Sequence, residues 1–259
     1  MRINQNIMAF NAYRNLTTTS GAQGKSLEKL SSGFRINRAA DDAAGLVISE
    51  KLRSEVRGLN QGIRNAQDGV SLVQTAEGAL TEVHEMLQRI RELAVQKQNT
   101  GVYATGGDAE TAINAEITDL VTEINRIGTA TNFGNQQVFD GASRDFQVGA
   151  YDGDTISVTL DAVTSLLDGT SVVADIDAEI DTISALRGTL GAVQNRLEHT
   201  IANTSVTVEN LQASESRVRD TDMAREMVNF TRHQILAQAG TAMLAQANQV
   251  PQSVLSLLR

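Results

Sequence analysis

The chain contains no cysteine, no tryptophan and a single proline in 259 residues, and only 3% of its residues are aromatic. Without cysteine it can form neither a disulfide framework nor a thiolate metal site. Large rings supply much of the buried area of a thick core, so their scarcity favours a thin body built from Ala, Leu, Ile and Val. The single proline leaves room for long helices, because proline breaks helix interiors.

The net charge of −9 is unevenly distributed along the chain. Residues 1–40 carry +5, residues 220–259 carry 0, and the residues between them therefore carry −14. This pattern indicates a solvated acidic middle and ends that contact protein, and the acidic total argues against a nucleic-acid partner. Residues 1–20 are polar and lack a charged region followed by an apolar one, so we expect no cleavable secretory signal.

Two long segments carry apolar residues at helical spacing. The first predicts a helix from about residue 45 to 98, and its stripe continues through Leu80, Leu87 and Ile90. The second runs from Ile176 to Val218. Each stripe can be buried only against the other. The predicted fold is mainly α: an elongated antiparallel coiled-coil or helical bundle formed by the N- and C-terminal halves, with the two termini together.

The segment between the stripes has a different pattern. A Gly-rich break at 100–107 ends the first long helix, and Asp108 is a candidate cap for the next one. Alternating apolar residues flank Asp152-Gly153, which predicts a β-hairpin at about 145–161. Asp41-Asp42 precede the first long helix, where their charge favours the positive end of the helix dipole.

The two ends of the chain have the composition of contact helices. Helical faces run through Ile3, Ile7 and Phe10 and again from Leu27 to Phe34, with Gly21 and Gly24 weakening the helix between them. Residues 234–258 contain no formal charge, but their amide side chains, with a glycine and the proline, argue against a membrane span. Two helices this thin bury little surface, so we expect them to fold on association.

No constellation of residues supports catalysis. His84-Glu85-Met86-Leu87-Gln88 begins like a zinc-protease motif, but Gln88 occupies the position of the second histidine. The glycines of 100–107 lack the ending of a phosphate loop, and no serine lies in a nucleophile elbow. We therefore expect no enzyme activity, no metal and no cofactor.

Two long motifs closely resemble the signatures of bacterial flagellin. The first is the run from Ser31 to Leu46 (SSGFRINRAADDAAGL), and the second is the run from Ser214 to Ala224 (SESRVRDTDMA). The opening INQN, the stretch NAQDG at 65–69, the run 87–96 and the chain's final residues also match. Few residues separate the hairpin from the second stripe, so the resemblance is to a minimal form without outer inserted domains.

The resemblance implies a structural subunit of the flagellar filament that self-assembles into a helical tube for motility. It implies an inner-tube domain of residues 1–44 with 220–259, and a coiled-coil shell domain of 45–219. The terminal assembly helices would use Ile3, Ile7, Phe10, Met227, Phe230, Leu244, Val254, Leu255 and Leu258. The implied partners are further copies of the chain, the hook-junction and cap proteins, and an export chaperone on the C-terminal helix. Type III export would deliver the uncleaved chain to the extracellular filament.

One segment of the first long helix matches a region that a Toll-like innate immune receptor reads in some flagellins. It comprises Gln88, Arg89, Arg91, Glu92 and Leu93, with Glu116 on the neighbouring helix. The charged residues also have a structural interpretation, because Arg89 and Glu92 are spaced for pairing on a solvated helix face. In a filament the same surface would be buried between subunits.

Two alternatives to a filament subunit follow from the same patterns. A hook-filament junction protein has similar termini, although we expect it to match the 41–42 and 88–96 stretches less well. A chemotaxis-receptor signalling hairpin would share the long antiparallel helices. That class, however, needs a membrane segment or partner domain and a regular helical tip.

Overall fold

The computed structural model describes residues 5–99, 107–163, 167 and 172–257, with side chains through Val250. Within these residues the elements are α1 Ile7–Ser32, α2 Ala43–Lys97, α3 Asp108–Ala130, β1 Asn132–Phe133, β2 Gln136–Gln137, β3 Ser143–Gln147, β4 Thr155–Thr159, α4 Val173–Arg219 and α5 Met223–Leu257. The chain divides into two compact units. The terminal unit comprises Met1–Ser54 with Asn210–Arg259, and the central unit comprises Glu55–Glu209. The mainly helical fold with β-hairpin structure in the middle of the chain is confirmed.

The core of the central unit forms where α2, α3 and α4 bring their apolar faces together. On α4 five of the buried positions recur every seven residues, at Ile176, Ile183, Leu190, Leu197 and Thr204, and Leu186 is buried between two of them. A seven-residue repeat keeps one face of a helix directed at its neighbour. From α2 the buried residues include Leu72, Val73, Ala76, Leu80, Val83, Leu87, Ile90 and Ala94. In this unit the two predicted stripes are therefore packed together, as expected.

Two antiparallel hairpins follow α3. In the longer one, β3 and β4 pair with Phe146 opposite Ile156, and β4 alternates exposed and buried residues. This confirms the hairpin predicted around Asp152-Gly153, where Gly153 has a φ of +92°. The shorter hairpin, β1–β2, was not predicted. Its turn residues Gly134 and Asn135 both have positive φ, as a tight hairpin turn requires.

In the terminal unit α1 and α5 run in opposite directions. The Asn6 amide donates to the Ala247 carbonyl at 2.7 Å, and Gly240 lies against Leu16. Helix α1 is continuous from Ile7 to Ser32, so Gly21 and Gly24 do not interrupt it. It ends at Gly33, whose φ of +75° gives the left-handed cap that glycine adopts without strain.

The aspartates at the starts of α2 and α3 make different contacts. The Asp42 carboxylate accepts from the Gly45 amide at 2.9 Å, which is a direct cap on the first turn of α2. Asp108, in contrast, is the first residue of α3, and the capping position is taken by Gly107 without a side-chain hydrogen bond. The prediction that Asp108 caps this helix is wrong by one position. Its charge still lies in the first turn, where the helix dipole favours it.

Candidate assembly surfaces

The α1–α5 pair carries an unusual amount of exposed apolar surface. Among its described side chains only Ser26 and Ala247 are buried. Large apolar side chains are instead exposed, including Ile7, Met8, Phe10, Tyr13, Leu27, Met227, Val228, Ile235, Leu236 and Met243. This many exposed large apolar side chains on one helix pair indicate a contact with another molecule.

The predicted terminal assembly residues do not all lie on this exposed face. Ile7, Phe10 and Met227 are exposed, whereas Phe230 and Leu244 are half-buried. Val254 and Leu255 belong to α5, but their side chains lie outside the described residues, as do Ile3 and Leu258 altogether. The residues that sequence reasoning missed are Val228, Ile235 and Leu236, which line one open depression on α5 with Met227. Their sequence signal was helical spacing, because Ile235 and Leu236 follow Val228 by seven and eight residues.

In the terminal unit the segment between α1 and α2 is hydrogen-bonded to the segment between α4 and α5, and this contact is called the joint below. Phe34 and Asp220 form an isolated antiparallel β-bridge. The Arg35 amide donates to the Arg219 carbonyl at 2.7 Å, and the Thr221 amide donates to the Gly33 carbonyl at 2.9 Å. These bonds satisfy backbone groups that the ends of α1 and α4 would otherwise leave without partners.

Arg219 fastens this joint with its side chain. Its guanidinium carbon lies 4.9 Å from the centroid of the Phe34 ring and forms a cation–π contact. The same guanidinium pairs with the Glu50 carboxylate on α2. On the other strand of the joint, the Arg35 guanidinium donates to the Val218 carbonyl at 2.6 Å. Two arginines therefore fix the break between α1 and α2 to the break between α4 and α5.

Asp41 orders the loop that leads into α2. Its carboxylate accepts hydrogen bonds from the backbone amides of Arg38, at 3.1 Å, and Asn37, at 3.2 Å. These two bonds, with the one from Arg38 contributing most, hold the pKa of Asp41 below its ordinary value. The acidic pair in the motif thus has two separate tasks: Asp41 holds the loop, and Asp42 caps the helix.

The predicted receptor-like segment is divided between two helix pairs. Arg89 reaches α3 and pairs with Glu116 at 3.0 Å, while also pairing with Glu92 at 3.2 Å. The hydrogen bond to Glu116, followed by the bond to Glu92, raises the pKa of Arg89 above its ordinary value. Arg91 faces α4 instead and pairs with Asp177 at 2.6 Å. Arg89, Glu92 and Glu116 therefore form one exposed ionic cluster to which Arg91 does not belong.

The other two residues of the segment have different environments. The Gln88 side-chain nitrogen lies 2.9 Å from His84 Nε2 on the preceding turn. Leu93 is only 2% exposed and belongs to the core of the central unit. It follows the buried Ile90 by three residues, and this helical spacing is the sequence feature that indicates a core position.

Glycines on α2 form the seat of the longer hairpin. At Gly62 an added Cβ would collide with the backbone carbonyl of Val148, and at Gly58 it would lie 3.0 Å from the Ala150 Cβ. The Asn65 amide donates to the Gln147 carbonyl at 2.8 Å on the same side of the helix. The hairpin backbone thus lies directly on the helix backbone, an approach that only glycine permits.

The described residues contain no arrangement that suggests catalysis or metal binding. No three His, Asp or Glu side chains in this part of the chain come together as possible metal ligands. His84 contacts Gln88, the residue that stands where a zinc-protease motif would have its second histidine. No helix in the described ranges is both long enough and apolar enough to cross a lipid bilayer. The described residues thus form a mainly helical protein whose terminal helices expose large apolar side chains.

Comparison with known proteins assigns this helical protein to a family. The model of the bacterial flagellin N-terminal helical region matches residues 3–144, and that of the bacterial flagellin C-terminal helical region matches residues 173–258. Flagellin from Halalkalibacterium halodurans is 51% identical over 276 aligned residues, and flagellin from Bacillus subtilis is 46% identical over 305. The flagellar filament 33 kDa core protein of Treponema phagedenis is 45% identical over 289. Each alignment covers 100% of both chains.

The chain belongs to the bacterial flagellin family. It is a structural subunit of the extracellular bacterial flagellar filament, it associates with its own copies, and it is not an enzyme. The filament-subunit prediction is confirmed, and nothing favours the hook-filament junction alternative. Among solved structures, the crystal structure of Bacillus cereus flagellin aligns with a TM-score of 0.47 at 28% identity. It covers 54% of this chain and 88% of that one.

Proposed function

We propose that α1 and α5 are the surfaces through which subunits pack in the filament. In this proposal residues 1–44 and 220–259 form an inner tube, and residues 45–219 form the surrounding shell with the hairpin at about 145–161. The observation that carries the proposal is the number of exposed large apolar side chains on both helices of the terminal unit. Apolar area of this kind gains free energy when a neighbour removes it from water.

The poor burial within the α1–α5 pair explains why a neighbour is needed. A helix gains most of its stability in a protein from packing an apolar face. The pair buries few side chains internally, so its helices depend on further contacts. We expect the pair to be partly unfolded in the free subunit and to fold as it joins the filament.

Charge favours a further copy of the chain as the occupant of this surface. The chain carries −9 overall, so identical subunits repel one another where their charged regions meet. Residues 234–258 carry no formal charge, and α5 can approach its copies without that repulsion. Small residues along α5 also allow the helices to pack closely.

Deletion of residues 234–259 tests the proposal most directly. We expect the truncated protein to form no filaments when seeded with fragments of wild-type filament, as observed by electron microscopy and light scattering. Normal filaments from the truncated protein would show that α5 is not an assembly surface.

A pair of tyrosines offers a matched test with single substitutions. Tyr13 on α1 and Tyr151 in the turn of the longer hairpin are each 62% exposed. We expect Tyr13→Ser to raise the critical concentration for assembly about tenfold, because it removes apolar contact area between subunits. Tyr151→Ser should have a smaller effect. If the two variants assembled equally well, exposure on α1 would carry no special meaning for polymerisation.

We also propose that Gln88, Arg89, Arg91, Glu92 and Glu116, but not the buried Leu93, supply the surface for a Toll-like innate immune receptor. The ionic cluster of Arg89 supports this proposal because it is exposed and crosses two helices. Arg89→Ala should reduce receptor activation in a reporter-cell assay. Arg126→Ala is the matched control, since Arg126 is an exposed arginine paired with Glu123 three residues away. Equal activation by both variants would contradict the proposal.

The remaining proposed partners are the export chaperone, the hook-junction proteins and the cap protein, with delivery through the type III apparatus. The exposed depression lined by Met227, Val228, Ile235 and Leu236 offers the chaperone an apolar face on the C-terminal helix. We expect a Val228→Asp, Ile235→Asp variant to lose binding to the purified chaperone in calorimetry. Unchanged binding would place the chaperone elsewhere.

A further inference from the structure

The exposed methionines of this protein are concentrated in the terminal unit. Of six methionines in the chain, five lie in the described residues. Met8, Met223, Met227 and Met243 lie on α1 and α5, and their exposed fractions run from 46% to 65%. Met86, the fifth, packs against the core of the central unit and is partly buried. The accessible thioethers thus coincide with the surface proposed for subunit contact.

Three of these methionines have large apolar side chains near them. Met243 lies seven residues from both Leu236 and Val250, and this spacing places the three side chains on one face of α5. Met227 lines the depression that also includes Val228 and Ile235. Met8 lies between Ile7 and Phe10 in the sequence, and all three are exposed. A polar atom added to the sulfur of Met8, Met227 or Met243 would lie beside exposed apolar side chains.

The composition makes these sulfurs the main targets of a mild oxidant. The chain has no cysteine, whose thiolate is more reactive, and it has no tryptophan. Accessibility then selects among the methionines, since an oxidant must reach the sulfur. Met8, Met223, Met227 and Met243 meet this condition better than Met86.

We propose that Met8, Met223, Met227 and Met243 form an oxidation site that controls whether a free subunit can polymerise. The oxidant is a peroxide such as hydrogen peroxide. The thioether sulfur attacks one peroxide oxygen, the O–O bond breaks, and an S–O bond forms. The sulfur is oxidised by two electrons, and the remaining oxygen leaves as water. The proposal rests on the assembly role proposed for α1 and α5.

The product sulfoxide opposes assembly for a physical reason. It converts a flexible apolar side chain into a polar one that disrupts methionine-rich contacts. Burial of such a group without a hydrogen-bond partner is costly, so the oxidised subunit should favour solution. In a finished filament the same sulfurs would be covered by neighbouring subunits and react more slowly. The chemistry therefore acts on subunits before they are added.

The test compares full-length free subunits with finished filaments under dilute hydrogen peroxide. After removal of the peroxide by catalase, peptide mass spectrometry locates the added oxygen. We expect oxidation of the four exposed methionines before Met86, and a critical concentration for seeded assembly raised at least about tenfold. The same methionines in filaments should react at least about tenfold more slowly than in free subunits.

Two variants and one enzyme provide the controls. A variant with all four exposed methionines changed to leucine alters the assembly surface itself, so its critical concentration without peroxide serves as its own reference. Peroxide should leave that value unchanged, because leucine keeps a similar apolar volume and has no sulfur to oxidise. Met86→Leu should remain as sensitive as the wild type. If the fourfold variant fails to polymerise, treatment of oxidised wild type with methionine sulfoxide reductases supplies the same information. Restored assembly supports the proposal and unrestored assembly overturns it.

Other results would also overturn the proposal. Oxidised wild-type subunits that polymerise as well as untreated ones would do so, as would a fourfold variant that polymerises yet stays peroxide-sensitive. These failures are distinguishable from a failure of the assembly role of α1 and α5. If truncation at residue 233 and Tyr13→Ser impair assembly while sulfoxides do not, only the oxidation site is wrong. If those changes leave assembly intact, the assembly role itself is wrong.

Discussion

The terminal and central units differ in where they place the same kinds of side chain. Leu190 of the central unit is 1% exposed, whereas Leu236 of the terminal unit is 49% exposed, although both lie on long helices. In the central unit three helices and a hairpin surround the apolar stripe, whereas in the described part of the terminal unit α1 and α5 pack mainly against each other. Apolar residues at helical spacing therefore do not by themselves indicate whether that face of the helix is buried within the subunit or exposed to a neighbouring molecule.

Leucine-to-alanine changes in the two units should give the largest difference in the free energy of unfolding. Leu190→Ala removes a core side chain and should lower the free energy of unfolding by about 2–5 kcal/mol. Leu236→Ala should change it by less than about 0.5 kcal/mol in the free subunit. Urea denaturation followed by circular dichroism measures both. Similar losses in the two variants would mean that Leu236 is already buried in solution.

Glycine-to-alanine changes provide the second test. Gly62→Ala would force the longer hairpin off α2 and should destabilise the central unit by about 1–3 kcal/mol. Gly188→Ala lies in the same unit on α4 with open space around it, and it should stabilise the helix by up to about 1 kcal/mol. Thermal unfolding of the two variants gives the sign of each effect. A stabilising Gly62→Ala would contradict the close seat of the hairpin.

Much of the central unit could be predicted from the sequence because its structure is periodic. The seven-residue stripe of α4 and the alternation in β4 each repeat a local rule. The β1–β2 hairpin was missed because its strands have two residues each and show no alternation. Only the Gly134-Asn135 pair marked its turn.

The candidate sites were harder to predict than the fold. Leu93 resembles a receptor-contact position in sequence, but it follows the buried Ile90 by three residues and lies in the core. The pairing of Arg91 with Asp177 depends on the register between two distant helices, which no local pattern fixes. Likewise, the contact between Arg219 and Phe34 joins residues far apart in the sequence. Such contacts are visible only once the helices are placed.

A substitution in the joint of the terminal unit should have an effect of intermediate size. Arg219→Ala removes the contact with Phe34 and the pair with Glu50, and it should weaken the joint by about 1 kcal/mol. Hydrogen exchange at the Arg35 and Thr221 amides should become faster, because both bonds cross the joint. Arg217→Ala is the neighbouring control, since that exposed side chain bonds only locally, to Ser214. Unchanged exchange in Arg219→Ala would show that the backbone alone holds the joint.

The smallest expected effect concerns pH. Burial raises the pKa of Glu179 above its ordinary value, so the folded central unit binds this proton more tightly than the unfolded chain does. Stability is therefore lost as pH rises through the window between the two pKa values, and the loss persists above it. Glu179→Gln should raise the melting temperature slightly at neutral pH, with no gain below the ordinary glutamate pKa of about 4.3.

A second carboxylate, that of Glu123, should change stability with pH in the opposite direction. The hydrogen bond from Arg126 lowers the pKa of Glu123, so its contribution to stability is present at neutral pH and lost as pH falls. Glu123→Gln should therefore lower the melting temperature slightly at neutral pH and have no effect in acid. Melting curves that shift in the same direction for both variants would contradict the assigned environments.

The bridge between Phe34 and Asp220 has a consequence for how the length of this chain can vary. It fixes one point of register, and the contacts of Asn6 with Ala247 and of Leu16 with Gly240 fix others along the same helix pair. One residue inserted into α1 alone rotates every later side chain by about 100° and slides it by about 1.5 Å against α5. An insertion in α1 would then be tolerated only with a compensating one in α5. Insertions in the sequence are therefore better tolerated in the loops than in the terminal helices, because a loop residue has no paired helix whose register it would shift.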